Sequence, residues 1–221
     1  MRTVIFANGT FDNPRQAREL LRADDLIIAV DGGTRHAWAC GVDPQVVIGD
    51  LDSLTPDEQE RLSSAGAKVS SFSPYKDRTD LELALLHAVS QGVDEIIVLA
   101  ALGGRLDQTI ANLLLLTLPE LVDRDVQVVQ GAQRAFVIRD EALIGGHPGD
   151  TVSLIPLGGD ALGVTAQGLE WPLEDETLRF GPARGVSNVL RKRQASVRVR
   201  RGLLLCVVTR ASDVGKSESE S

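Results

Sequence analysis

The sequence predicts an α/β protein in which a mostly parallel sheet flanked by helices is followed by a smaller all-β sandwich. Three observations carry this reading. From Thr3 to about Gln130 short apolar runs alternate with amphipathic segments, as βα repeats require. Beyond about Gly131 the helical periodicity fades, and short runs alternate with Gly and Pro instead. Acidic residues also recur directly after apolar runs, where open α/β sheets place their ligands.

In chain order, Leu26-Ile27-Ile28-Ala29-Val30 reads as a strand running into Asp31-Gly32-Gly33. Glycine there lets the backbone approach a ribose or phosphate, or simply turns the chain into a helix. Val46-Val47-Ile48 reads as a second buried strand, followed at once by Gly49-Asp50-Leu51-Asp52-Ser53. Thr55-Pro56-Asp57-Glu58 is a capping box with Pro at the first helical position. A strand over Val69 to Phe72 leads into Lys76-Asp77-Arg78-Thr79-Asp80, and Thr79 to Glu82 reads as a second capping box. The helix it opens is predicted to run from Asp80 to Gln91, with Gly92 as its C-terminal cap. Glu95 to Ala100 is the next strand. It is followed by Gly103-Gly104-Arg105-Leu106-Asp107 and a helix from near Gln108 to Leu118, stopped by Pro119. In the second half Thr151 to Ile155, Ser196 to Val199 and Leu203 to Val208 read as strands, with Arg201-Gly202 as a tight hairpin turn. The expected domains are residues 1–135 and 136–211, with 212–221 a Ser/Glu-rich tail that lacks apolar anchors and is predicted to be disordered.

Composition narrows the function classes. The chain has 221 residues, 43% of them hydrophobic, and a formal net charge of -8. That balance argues against a broad nucleic-acid or membrane surface, so an anionic ligand must be held locally. Met1-Arg2 leads straight into a strand-like segment with no signal-peptide pattern. No apolar run approaches the roughly 20 residues that span a bilayer, so the expected location is the cytoplasm. Cys40 and Cys206 lie far apart, and His36, His87 and His147 have no zinc spacing. Neither a GxxxxGK[ST] nor a GxGxxG motif occurs, which disfavours a P-loop kinase or an ordinary dinucleotide enzyme.

The acidic strand ends are the main candidate site. If the runs are parallel neighbours, Asp31, Asp50, Asp52, Asp77, Asp80 and Asp107 gather at one sheet edge, where they repel unless a cation is present. Mg²⁺, a hard ion usually shared with substrate phosphates, is the expected occupant. Asp50 and Asp52, one residue apart in a loop, can face one metal, although a polar turn would look the same. Asp80 at a helix start is also stabilised by the helix dipole alone. Lys76 and Asp77 are less easily explained by structure and suit a phosphate and its metal. Gly103-Gly104 can expose backbone N–H groups to an anion, with Arg105 adding a forked donor. In the second half Trp171 could stack on a cationic or heteroaromatic ligand, or fill the core. The alternating Arg198 and Arg200 read as a solvated strand face.

Taken together, these motifs resemble the thiamine pyrophosphokinase family from Asn8 to about Val208. The resemblance rests on Gly49-Asp50-Leu51-Asp52-Ser53, on Lys76-Asp77 with Thr79-Asp80-Leu81-Glu82, and on Gly104-Arg105-Leu106-Asp107 to Ala111-Asn112. It extends through Gly168-Leu169-Glu170-Trp171-Pro172-Leu173 and Gly185-Val186-Ser187-Asn188. Gln108 departs from the family, many members having His there; Gln keeps hydrogen bonding but cannot titrate. The resemblance implies a Rossmann-like ATP-binding catalytic domain, a β-sandwich domain for thiamine and dimerisation, and diphosphoryl transfer from ATP to thiamine by a homodimer. It further implies that Asp50, Asp52 and Asp80 hold Mg²⁺ and serve catalysis. Asn8, Asp31, Gly32, Gly33, Lys76, Asp77, Thr79, Arg105, Asp107 and Asn112 would bind ATP, and Trp171, Ser187 and Asn188 would contact thiamine on the partner subunit. The alternatives are a non-enzymatic nucleotide or thiamine sensor and a Mg²⁺-dependent phosphohydrolase.

Overall fold

The structure, a computed structural model, describes residues 1–70 and 78–211. Lys76, Asp77 and the predicted tail lie outside the described residues. The chain divides into two compact units, Met1–Gly131 and Ala132–Ser221, a division at 131/132 where the sequence suggested 135/136.

The first unit holds β1 (Arg2–Phe6), β2 (Leu26–Val30), β3 (Val46–Ile48), β4 (Lys68–Ser70), β5 (Glu95–Leu99) and β6 (Asp125–Gln130). All pair in parallel, in the order β4-β3-β2-β1-β5-β6. A parallel sheet is covered on both faces, so its strands read as unbroken apolar runs; Val4, Ile5 and Phe6 are each fully buried. The covering helices are α1 (Pro14–Leu20), α2 (Gly33–Ala39), α3 (Pro56–Ser64), α4 (Asp80–Ser90) and α5 (Leu106–Leu115). Alternate residues Val4, Phe6, Ile27, Ile97 and Leu99 pack with Ala17 of α1 and Ala37 of α2, while α4 lies against β1, β2 and β3. Arg2 clamps Asp25 through two bonds of 2.7 Å, tying the start of β1 to the loop before β2. The strand order reverses at β1, with β2 to β4 laid to one side and β5 and β6 to the other. This opens a crevice at the C-terminal ends of β1 and β5. No helix among the described residues is long and apolar enough to cross a membrane.

Helix boundaries follow the predicted caps with two corrections. Thr55 and Glu58 form the full reciprocal box at α3. At α4 the Thr79 hydroxyl accepts from the Glu82 N–H at 3.2 Å, but the return bond is missing because the Glu82 carboxylate is drawn to Arg78, 3.3 Å away. α5 starts at Leu106 and ends at Leu115, earlier than predicted at both ends, and Pro119 opens a short 3-10 turn rather than ending the helix.

The second unit contains β7 (Gln133–Ile138), β8 (Glu141–Gly145), β9 (Thr151–Gln167), β10 (Leu173–Leu178), β11 (Asn188–Val189), β12 (Gln194–Arg198) and β13 (Arg201–Thr209). The 17-residue β9 replaces the short strand expected over Thr151 to Ile155; its glycines bend it without ending it. Its first part pairs antiparallel with β13 and β11, and its second part with β10 and β12. The predicted hairpin at Arg201-Gly202 is therefore wrong: β12 and β13 do not pair with each other but succeed one another along β9. Gly202, at φ +102°, lies at the irregularity near the start of β13, between the Arg201 and Leu203 pairings with β9, and a Cβ there would lie 2.7 Å from the Asp160 carbonyl oxygen. Val197 and Val199 are buried while Arg198 and Arg200 face solvent, as the alternation predicted. Both cysteines are free and buried.

Candidate active site

The crevice at β1 and β5 is a cleft of about 630 Å³. One wall is Asn8, Gly9 and Thr10, and the other is Gly103, Gly104 and Arg105. Backbone bonds from Gly9 N–H to the Ala100 carbonyl (2.7 Å) and from Thr10 N–H to the Leu102 carbonyl (2.9 Å) extend the β1–β5 pairing into these loops. His36 Nε2 lies 3.1 Å from the Gly9 carbonyl oxygen and pins the first loop to α2. The Asn112 side chain donates to the Ala101 carbonyl at 2.7 Å, and the Gly103 N–H donates to the Thr109 hydroxyl at 3.1 Å, which shapes the second loop from α5.

Asp31 enters the cleft from the end of β2, and Thr79 and Asp80 from the start of α4. Burial first, then the charges of Asp80, Asp50 and Asp52 and a hydrogen bond with Asp80, push the Asp31 carboxyl up to about 6. Its Oδ1 is buried with no hydrogen-bond partner. Gly49 makes this placement possible, because a Cβ at that position would sit 1.6 Å from Asp31 Oδ1. Asp50 and Asp52 follow on an exposed loop, where Asp50 Oδ1 accepts from the Asp52 N–H at 3.2 Å. A hydrogen bond with Asp50 and its charge raise the Asp52 carboxyl above the usual range. Among the described residues, no three acidic, histidine or cysteine side chains form a ready metal cage.

A carboxyl whose folded-state pKa is raised contributes its stability fully below the unfolded value, and that contribution is lost as pH rises from about 4 through about 6. Asp31→Asn should therefore raise the metal-free melting temperature at about pH 7.5 and change it little near pH 4. Scanning fluorimetry at both pH values checks this; no gain at the higher pH would show that the carboxylate is not under repulsion.

The predicted site residues divide by placement. Asn8, Asp31, Thr79, Asp80, Arg105 and Asn112 line the cleft. Gly32 and Gly33 are instead packed beneath it: a Cβ on Gly33 would lie 2.1 Å from the Phe6 carbonyl oxygen, so this glycine lets α2 approach β1. Asp107 pairs with Arg105 through bonds of 3.1 and 2.5 Å, and both are exposed. Thr10 and Gln108 also line the cleft and were not assigned as ligands from sequence, Gln108 having been noted only as a departure from the family. The signal available for them was position alone, at strand ends and in the first turn of α5.

In the second unit a hollow of about 340 Å³ is lined by Trp171, Glu176, Arg184, Val186, Ser187 and Asn188, among others. Trp171 is 60% exposed, which overturns the alternative that it fills the core. Asn188 is only 8% exposed, and its side chain is committed to the Trp171 backbone. Its Oδ1 accepts from the Trp171 N–H at 3.1 Å, and its Nδ2 donates to the Trp171 carbonyl at 2.7 Å. The Asn188 side chain thus holds the tryptophan's loop while also lining the hollow.

Two family models match the chain: "Thiamin pyrophosphokinase, catalytic domain" over residues 17–129 and "Thiamin pyrophosphokinase, vitamin B1 binding domain" over residues 138–204. A thiamine pyrophosphokinase of Bacillus subtilis is 27% identical over 184 residues, covering 82% of this chain and 86% of the relative. Thiamine pyrophosphokinase 1 of Arabidopsis thaliana is 31% identical over 70% of this chain and 61% of that longer protein. The crystal structure of thiamine pyrophosphokinase from Bacillus subtilis superposes with a TM-score of 0.85 at 25% identity, covering 96% of this chain and 100% of that one.

Proposed function

This chain belongs to the thiamin pyrophosphokinase family, and from that premise we propose that it transfers a diphosphoryl group from ATP to the hydroxyl of thiamine, giving thiamine diphosphate and AMP. The observation that carries the assignment of the site is the cleft at the strand-order reversal, into which Asp31 and Asp80 project beside the Asp50-Asp52 loop. The sensor and phosphohydrolase readings have no comparable support. The first unit is read as the Rossmann-like, ATP-binding catalytic domain and the second as a β-sandwich that takes thiamine.

ATP occupies the cleft between Asn8 and the Gly103-Gly104 loop. Arg105, exposed and forked, exchanges Asp107 for a phosphate oxygen pair. Magnesium takes one or two carboxylates together with phosphate oxygens and water. That preference fits a site whose acids neighbour one another without caging a metal, and where Asp31 keeps a buried oxygen free of partners. Asp50, Asp52 and Asp80 would hold the ion, which when bound neutralises charge on the phosphate oxygens. Of these three, Asp80 alone lines the cleft, and it is the candidate acceptor for the thiamine hydroxyl proton. Phosphoryl transfer depends on positioning and electrostatics rather than on a protein nucleophile, so this set of groups is sufficient. Thiamine lies against Trp171 and Ser187. The working unit is a cytoplasmic homodimer in which that surface comes from the partner subunit. Incubation with Mg²⁺, ATP and thiamine, with AMP and thiamine diphosphate separated by chromatography, tests the assignment; ATP hydrolysis without thiamine diphosphate would reject it.

An exposed Trp that stacks on thiamine contributes mainly to binding. Trp171→Ala should raise the KM for thiamine by about tenfold, leave the KM for ATP within about twofold, and barely shift the melting temperature. Steady-state kinetics decides it, and an unchanged thiamine KM would remove Trp171 from the acceptor site.

A further inference from the structure

Asp50 and Asp52 sit on a loop that has reasons to move. Both are exposed, and Leu51 between them is held at φ +61°, in the left-handed region that a branched side chain disfavours. Two side chains catch the loop's carbonyl oxygens. Gln59 of α3 donates to those of Leu51 and Leu54, each at 3.2 Å. Arg35 of α2 donates through Nη2 to the Ser53 carbonyl at 2.7 Å. The same guanidinium forks onto Glu58, Nε to Oε1 at 2.7 Å and Nη2 to Oε2 at 2.8 Å, while Glu58 Oε2 accepts from the Thr55 N–H at 2.8 Å. Arg35 is itself anchored to the turn that carries Asp31, its N–H donating to the Gly32 carbonyl at 3.0 Å.

From this we propose that Arg35 is a positioning residue for the reaction, joining the Asp31 turn to the Asp50-Asp52 loop and setting the spacing between the two acidic segments. The inference rests on the assignment of those acids to the metal-phosphate site. An ion pair with an arginine 47% exposed contributes little to global stability, so the three bonds of this fork are better explained by restraint of the loop than by holding the fold together. Lysine cannot replace it, since one ammonium does not span the Ser53 carbonyl and both Glu58 oxygens in the same plane.

The test uses the full-length protein with Arg35→Ala, Arg35→Lys and Asp50→Asn. Three readouts are taken: hydrogen exchange of the amides from Leu51 to Leu54, Mn²⁺ affinity by electron paramagnetic resonance with a non-hydrolysable ATP analogue, and steady-state kinetics. In Arg35→Ala the loop amides should exchange faster while those of β1 and β5 do not. Mn²⁺ affinity and kcat should each fall by about 10- to 100-fold, with the thiamine KM within about twofold. Arg35→Lys should lie between, and added ethylguanidinium should restore part of the loss in Arg35→Ala. Unchanged loop exchange and Mn²⁺ affinity in Arg35→Ala overturn the proposal, as does faster exchange spread through the whole first unit with a matching fall in melting temperature. Normal turnover in Asp50→Asn sinks the acid-site assignment by itself, whereas an inactive Asp50→Asn beside an unaltered Arg35→Ala sinks only the role of Arg35.

Discussion

Asp50→Asn and Asp52→Asn should each lower kcat by roughly 10² or more while leaving the melting temperature almost unchanged. Amide and carboxylate are the same shape, and both side chains are exposed, so little packing is at stake. What is lost is charge at the proposed metal-phosphate site, where stabilisation of the transferring group would be the main source of catalysis. Either substitution also ends the carboxyl hydrogen bond and the like charge through which Asp50 raises Asp52. Turnover close to that of the unaltered protein at saturating Mg²⁺, in either variant, would reject the assignment.

The proposed sharing of the site between subunits predicts a specific recovery of activity. Chains carrying Asp80→Asn are damaged at the catalytic cleft, and chains carrying Trp171→Ala with Ser187→Ala at the acceptor surface. Each should be nearly inactive as a homodimer at limiting thiamine. Random pairing makes half of the dimers mixed, and each mixed dimer has one intact site of two, so activity should return to roughly a quarter of the unaltered level. Trp171 and Ser187 are exposed, so these substitutions spare the fold; Asn188 is avoided because its side chain holds the Trp171 backbone. If both surfaces belonged to one chain's own site, a mixed dimer would hold only damaged sites. Absence of recovery in differentially tagged, folded mixed dimers would reject the shared site.

The α/β half was legible because its signals are local. A buried parallel strand is an apolar run, a helix start is a Thr with Glu three residues on, and strand ends are where the acids lie. The convergence of Asp31 with Asp50, Asp52 and Asp80 followed from assuming parallel neighbours, and β2 and β3 do pair in parallel. Long-range geometry was less accessible. β9 was cut short because Pro156 and the Gly158-Gly159 pair look like a loop, whereas in the fold they bend one long strand. The false hairpin at Gly202 arose because an irregularity within a strand and a turn between paired strands both call for the same glycine. Arg35 passed unnoticed since its partners are 18 and 23 residues away, and nothing about an arginine on a helix tells which loop carbonyl it will reach. Asn188 was assigned to the ligand on its motif, and its hydrogen bonds show in addition that its side chain holds the Trp171 backbone, a contact no motif announces.

The close fit of Gly49 against Asp31 has a consequence for how this sequence can change over time. Any side chain at position 49 would have to expel the carboxylate from its slot, and the backbone there, at φ +144°, would still strain any residue but glycine once the carboxylate was gone. Position 49, in a separate strand-end loop, is therefore held twice over, by the neighbouring carboxylate and by its own backbone, and a change at Asp31 lifts only the first of these. A lineage that abandoned catalysis would be released at Asp31, where losing the buried charge favours the fold, while Gly49 would stay fixed by its backbone. An exchanged acid beside a retained glycine is therefore the mark that selection on the reaction has been relaxed, whereas the glycine by itself records only the demands of the fold.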